Sequence, residues 1–331
     1  MLYFILFRQL IPLFFSSQLW VFTFQTLLDT AIQFSIFYGL IVFGYVLARI
    51  SSRGKALNKQ LTRLLVSLFI PVLFIYTFLT STPDSITEIQ LIMVLALVID
   101  LLGPILMFIR LWRSNIDDST KGVFYLCVTF NNALFIPLPL VLLFIGSAGL
   151  SVVIIFSFTQ MLLLATLGSF MGAIYGSKTS RPLMVVKDAL TFPPFLAALF
   201  ALILFSLHFR IPDDLAGLLA YTGPITTYLA LISVGIGIGI RFTLSEIRAA
   251  LEVIGIRQFI VPLIVIPVIL LSGLSHLSTS ILILEALMPP AVLTVVYATS
   301  FKLDAEKAAT IVTVGTLFLL PIIPFIPLLL G

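Results

Sequence analysis

Apolar runs close to twenty residues long, each ended by a short polar or Gly- and Pro-containing stretch, repeat along nearly the whole chain. Runs of that length match the hydrocarbon thickness of a bilayer, and they fall at residues 29–50, 57–80, 88–113, 122–145, 148–176, 188–209, 214–241, 256–273, 279–300 and 305–330. The pattern predicts an all-α polytopic membrane protein with ten transmembrane helices. Barrel strands would instead alternate apolar and polar positions in segments of about ten residues. Two of the ten runs cannot be unbroken helices. The fourth reads Thr129-Phe-Asn-Asn-Ala-Leu-Phe-Ile-Pro-Leu-Pro-Leu140, and the ninth reads Leu284-Glu-Ala-Leu-Met-Pro-Pro-Ala-Val-Leu-Thr-Val-Val-Tyr297. Pro137, Pro139, Pro289 and Pro290 lack a backbone N–H and clash with the carbonyl four residues back, so the hydrogen-bond ladder opens there.

The placement of charge orients the spans. All Lys and Arg residues except Arg8 and Arg210 lie in or beside the loops that begin near Arg49, Arg110, Lys178, Arg241 and Lys302, which are every second loop. The positive-inside bias makes these loops cytoplasmic, with Asp29 and the C-terminus outside. The spacing from Pro71 to Pro137 is nearly that from Pro224 to Pro289. Five spans per half is an odd number, so the second half enters the membrane inverted, as a 5+5 repeat. The expected organisation is therefore an apolar extension at 1–28, a first repeat at 29–176, a cytoplasmic linker at 177–187 and an inverted second repeat at 188–331. Residues 1–28, interrupted by Arg8, Gln9, Pro12, Ser16, Ser17 and Gln18, read equally as an interfacial segment, a misplaced start or an eleventh span.

In hydrocarbon an open carbonyl costs several kcal/mol unless the protein satisfies it, so such a break is tolerated only where it is buried or lines a cavity. Two broken helices that cross at their open segments bring two positive half-helix N-termini and two negative C-termini to one point. Asn131 and Asn132 stand just before the first break, and Thr294 follows the second. These three residues, with Pro137, Pro139, Pro289 and Pro290, are the candidate substrate-binding set. Simple kinks that bend helices for packing are the plainer reading of the same prolines.

Three ionisable residues fall inside spans. Asp100 lies halfway along the third, where a carboxylate costs about 2.5–3.5 kcal/mol on insertion scales and should face the bundle interior or a water path. Glu285 lies one turn before Pro289. Both are candidate coupling residues for a proton or a cation, set against a structural ion pair between helices. Arg257 opens the eighth span, from which it can snorkel to the inner face. The preceding segment, Ser245–Gly255, reads as an amphipathic helix lying on that face. Gly235-Ile-Gly-Ile-Gly239 follows no strand and lies within a span, so close helix packing explains it better than a nucleotide loop.

Composition agrees with the pattern. The 331 residues are 60% hydrophobic and 10% charged, with a mean hydropathy of +1.22, outside the soluble globular range. Cys127 is the single cysteine, so no disulfide forms within the chain. With only His208 and His276 beside it, no metal set of ordinary spacing can be written. The basic residues are dispersed among loops, which excludes a nucleic-acid footprint.

The stretches Asn132–Leu140, Glu285–Val292 and Asp304 through Ala308 to Thr316, with Pro71 and Pro224 in the second and seventh spans, resemble the auxin efflux carrier family, over essentially residues 29–331. That family holds plant auxin exporters and bacterial and archaeal carriers of malonate, malate and similar organic acids, and it belongs with the bile-acid symporter-like inverted-repeat proteins. Its Asn followed seven residues later by the Pro of Gly-Leu-Pro falls on Asn132 and Pro139, with Pro137 in place of the Gly. Its Met-Pro-x-Ala-Val-Asn falls on Met288 to Leu293, with Leu293 in place of the Asn. The resemblance implies a scaffold of spans 1, 2, 6 and 7, a mobile unit of spans 3–5 and 8–10, and solute binding at the crossover, where this chain has lost one amide.

The expected function is a secondary transporter that moves a small organic anion across the cell membrane by alternating access, with no cofactor beyond a coupling proton or sodium ion. A sodium-coupled symporter of bile-acid type is the alternative, and a channel the weaker one. No enzyme is expected, because the serine–histidine pair or Gly-x-Gly-Asp of membrane proteases and the paired Asp-rich motifs of prenyl transfer are absent. The expected partners are a small organic anion and the lipid bilayer, with a homodimer as a candidate assembly.

Overall fold

The computed structural model describes residues 17–51, 53–80, 86–176, 190–207, 209, 211–240 and 246–325, together with Leu183 and Lys187. Residues 1–16, most of the linker, His208, Arg210, Arg241 and the last six residues lie outside the described part. Within it the chain is helical, with no strand and one isolated β-bridge. Among the described residues seven helical stretches are long and apolar enough to cross a membrane.

The helices are α1 (Ser17–Ile50), α2 (Gly54–Leu64), α3 (Ile70–Thr80), α4 (Ile86–Leu111), α5 (Asp118–Thr129), α6 (Pro137–Phe144), α7 (Leu150–Leu163), α8 (Ser169–Tyr175), α9 (Pro193–Ser206), α10 (Asp213–Ala220), α11 (Thr222–Ile240), α12 (Ile247–Ile254), α13 (Val261–Leu270), α14 (His276–Ala286), α15 (Leu293–Ser300) and α16 (Ala305–Leu319). One-turn π segments, Leu65–Phe69, Leu164–Gly168 and Gly255–Ile260, join α2 to α3, α7 to α8 and α12 to α13. Two of them sit just before Pro71 and Pro262, where the missing N–H already disturbs the ladder.

Several boundaries differ from the sequence expectation for local reasons. The first helix begins at Ser17 rather than Asp29. Of the ten spans read from the sequence, the sixth has its helix start at Pro193, because Pro193 and Pro194 occupy the first helical positions and hold Phe192 in extended backbone (φ −62°, ψ 124°). The seventh is interrupted at Tyr221, between α10 and α11. The tenth tightens into a 3₁₀ turn at Leu320–Phe325, which contains Pro321 and Pro324. Caps mark other ends: Asp117 accepts from the Thr120 N–H at 2.9 Å, which holds its carboxyl below the usual range, and Asp304 accepts from Lys307 N at 2.9 Å.

From Glu246, where the described chain resumes, the stretch read as Ser245–Gly255 is not a separate surface helix. From Ile247 the backbone runs without a stop through the π segment into α13, forming one span to Leu270. Ala250, Val253 and Ile254 of its apolar stripe are buried in the protein, and its polar side is tied down by Arg110–Glu252 at 3.0 Å and Lys307–Glu246 at 3.7 Å. The amphipathic pattern thus reports burial against neighbouring helices rather than a lipid surface.

Packing sorts the helices into two groups. α1, α2, α3, α9, α10 and α11 pack among themselves, while α4–α8 and α12–α16 form the other set; α6, α7 and α16 touch α1, α3, α9 and α11 across the boundary. Phe158 of α7 stacks on Phe195 of α9 there, with ring centroids 5.1 Å apart. The second group holds the interior: most of Ser147–Tyr175 is buried, whereas most of Leu28–Ile50 is not. Exposed Phe43, Phe108, Ile109 and Leu263 give the outer surface the character of a lipid-facing one.

Small residues set the closest contact in the first group. A Cβ on Gly235 would collide with the Ile41 carbonyl, one on Gly44 with the Ile232 carbonyl, and one on Gly239 would stand 2.8 Å from Ala48 Cβ, so Gly235 and Gly239 serve helix packing. Gly235→Ala is expected to lower stability by about 1–3 kcal/mol through overpacking, whereas Gly237→Ala, with nothing within 4 Å, should leave it near wild type. Thermal melting of the two purified variants in one detergent checks this.

Candidate functional site

α5 stops at Thr129 and the chain becomes extended at Phe130 (φ −100°, ψ 119°), resuming as α6 at Pro137; α14 stops at Ala286 and resumes as α15 at Leu293. The two open segments pair antiparallel at Asn131 and Pro290. Asn132 N–H donates to the Pro289 carbonyl at 2.7 Å, and Ala291 N–H donates to the Phe130 carbonyl at 2.8 Å. Each segment thereby satisfies part of the other's exposed backbone, as a buried break requires.

Side chains complete the satisfaction. Ser157 donates to the Ala133 carbonyl at 2.7 Å, the Asn131 amide to the Glu285 carbonyl at 2.5 Å, and the Thr294 hydroxyl to the Ala291 carbonyl at 2.6 Å. Asn132 Oδ1 accepts from Phe135 N–H at 3.1 Å, and its NH₂ finds no acceptor among the described residues. The N–H groups of Val292 and Leu293, at the start of α15, likewise have no acceptor there.

A cavity of about 30 Å³ opens beside the crossing, lined by Asn131–Phe135, Ser157, Gln160, Met161, Leu164 and Ala291–Leu293 from one helix group and by Phe192 from the other. That is room for water rather than for an organic acid. Of the sequence candidates, Asn131 and Asn132 line it. Pro137, Pro139, Pro289, Pro290 and Thr294 do not. Pro137 and Pro139 occupy the first turn of α6, where a missing N–H costs little. They also leave α6 few N–H groups for an anion, so α15 is the better donor end. Pro289 and Pro290 pack on Gly315 of α16, where an added Cβ would lie 2.9 Å from Pro290 Cδ. Thr294 is buried and accepts from Cys127 Sγ at 3.5 Å.

Asp100 and Glu285 are joined to the crossing by a buried polar chain. Gln160 Nε2 donates to Asn131 Oδ1 and lies 3.3 Å from Asp100 Oδ1, while Asn131 Nδ2 lies 3.4 Å from Glu285 Oε2. Arg257 does not snorkel. It is fully buried in the π segment, donates from Nη1 to the Ile99 carbonyl at 3.0 Å and places Nη2 3.9 Å from Asp100 Oδ1. Both Asp100 and Arg257 lie within electrostatic reach of Glu285. Among the described residues Asp100 Oδ2, Glu285 Oε1, Arg257 Nε and Gln258 Oε1 are buried without a hydrogen-bond partner.

Sequence reasoning missed Gln160, Ser157, Phe192 and Gly315. Gln160 had a signal, being a full amide inside the apolar run Leu150–Leu163. Among the described residues no group of three or more His, Cys, Asp or Glu side chains is placed to hold a metal ion.

Residues 34–327 match a family described as membrane transport protein. The chain is 27% identical over 286 residues to an uncharacterized transporter of Methanothermobacter thermautotrophicus, covering 86% of this chain and 93% of that one. It is 24% identical over 212 residues to the uncharacterized transporter MJ1031 of Methanocaldococcus jannaschii, covering 63% and 68%.

Proposed function

Because the chain belongs to the membrane transport protein family, as its resemblance to auxin efflux carriers implied, we propose that it is a secondary transporter that carries a small organic anion by alternating access. The observation that carries this reading is the donor set at the crossing. The free NH₂ of Asn132 and the free N–H groups of Val292 and Leu293 belong to residues lining one cavity, and donors at a half-helix N-terminus suit a carboxylate. In this reading the chain forms ten spans as a 5+5 inverted repeat, residues 29–176 and 188–331 joined by the linker 177–187. The fourth span (α5–α6) and the ninth (α14–α15) are its broken, crossing helices. The cavity is too small for the solute and lies where the two helix groups meet at Phe192. Admission therefore requires the groups to slide apart, with α1–α3 and α9–α11 as scaffold and the other helices as the moving unit. Asp100 and Glu285 are the coupling groups.

A sodium-coupled symporter is the second reading, favoured by the unpartnered oxygens of Asp100 and Glu285, which suit a hard cation. A thermal-shift and uptake screen of reconstituted protein against mono- and dicarboxylates, indole acids and bile acids, with and without sodium, tests both. Uptake of a carboxylate in sodium-free medium is the expected result. Uptake only with sodium selects the second reading, and no response to any acid rejects both.

The alternation of basic loops motivates a cytoplasmic loop around Arg53, Lys55 and Lys59 and an extracytoplasmic C-terminus in the cell membrane. A cysteine placed at Lys55 should resist an impermeant maleimide on intact cells and react after permeabilisation. Labelling from outside overturns this topology.

A further inference from the structure

Asp100, Arg257 and Glu285 come from three different helical spans and are all at most 1% exposed. Fully ionised, the three carry a net charge of −1 in the membrane interior. A net charge there is costly, and buried carboxylates tolerate ionisation only when paired. One cation is present for two carboxylates. Arg257 is nearer Asp100, at 3.9 Å, and Gln160 also donates to that carboxylate. Among the described residues Glu285 has no cation within ion-pair distance, and its Oε1 is buried without a partner there. Among the described residues no other titratable side chain faces it: α4 contributes Asp100, the π segment before α13 contributes Arg257, and α6, α7, α13 and the Ser147–Gly149 turn, which also pack on α14, carry none. Glu88 sits at the far end of α14, on Ser275 and Ser278.

We propose that this cluster is a one-proton site, with the proton on Glu285 and with Asp100–Arg257 as the fixed ion pair that positions it. The proton neutralises the cluster without changing its packing. The inference rests on the organic-anion reading for its consequence. Glu285 connects through Asn131 and Gln160 to the cavity wall, so removing one negative charge there favours an anion beside Asn132. Protonated carrier then binds the anion, and proton and anion travel together. Deprotonation of Glu285 on the other side restores the negative charge and expels the solute. The ligand of this site is the proton, and the coupling it gives is symport of one proton with one anion charge.

Infrared spectroscopy of the protein in lipid tests the site without any solute, through the C=O stretch of a protonated, unhydrated carboxyl. Wild type should show one such group per chain at neutral pH. Glu285→Gln should show none. Asp100→Asn should also show none, because Arg257 then balances an ionised Glu285, and this second variant keeps the test decisive if the first does not fold. A wild type without the band, or a band that persists in either variant, overturns the proposal. The coupling is read separately, from malonate accumulation in proteoliposomes under an inward acid gradient. Wild type should accumulate malonate above equilibrium and Glu285→Gln should lose that accumulation, whereas wild-type uptake that ignores the gradient overturns the coupling. If the band behaves as expected and no carboxylate is carried, the proton site stands and the organic-anion reading fails.

Discussion

Asn132→Ala is expected to weaken carboxylate binding by about five- to 150-fold, the equivalent of about 1–3 kcal/mol for a buried hydrogen bond left unmade. Asn132 does two jobs with one amide. Its Oδ1 accepts the Phe135 N–H at 3.1 Å, which shapes the turn into α6, and its NH₂ belongs to a cavity-lining residue and has no acceptor. Alanine removes both, so a loss of affinity alone would be ambiguous. Asn132→Asp separates them, since the acid keeps the acceptor for Phe135, removes the donor and sets a negative charge against the anion. It should bind carboxylate more weakly than the alanine variant while melting closer to wild type. Leu293→Asn adds an amide at a residue that also lines the cavity, and should tighten binding or shift preference among carboxylates. Melting temperature and affinity on the same reconstituted samples decide the matter. Unchanged affinity in all three variants removes Asn132 from the site, and lower stability with unchanged affinity in Asn132→Ala alone makes it a cap only.

Arg257→Gln is expected to cost about 3–5 kcal/mol of stability at neutral pH, because it strips the only cation from a buried pair and leaves Asp100 uncompensated. Asp100→Asn in the same chain should recover much of that loss, since the double variant leaves no unpaired charge on the Asp100 side. The single variant should also recover as pH falls, because protonated Asp100 and Glu285 need no counter-charge. A double-mutant cycle measured by thermal or denaturant unfolding at neutral and acidic pH reads this directly. Independent, additive effects of the two substitutions would place Arg257 and Asp100 in separate environments.

The membrane class was legible because its cause is local: apolar runs report the solvent around them, and Pro137, Pro139, Pro289 and Pro290 act on their own backbone. Asn131 and Asn132 could be singled out for the same reason, as amides beside a break. Arg257 was misjudged because its fate depends on Asp100, far away in sequence, and because the helix that carries it continues from Ile247 through a π segment that no periodicity announces. The same limit hid Gln160, whose role follows from reaching both Asn131 and Asp100. Thr294 was singled out from its place after the second break, and the sequence did not announce that its hydroxyl donates to the Ala291 carbonyl. Position along the chain identified the element and not the direction of the side chain.

Counterflow separates a carrier with one alternately exposed site from a channel. Proteoliposomes loaded with unlabelled malonate are diluted into a trace of labelled malonate, and entry of label is followed in time. A carrier that exposes one site alternately to the two sides should accumulate label transiently above its equilibrium level, and Asn132→Asp should reduce that overshoot strongly. Label that enters only to equilibrium and no faster with internal malonate than without it would contradict alternating access and make the protein a channel for the same solute.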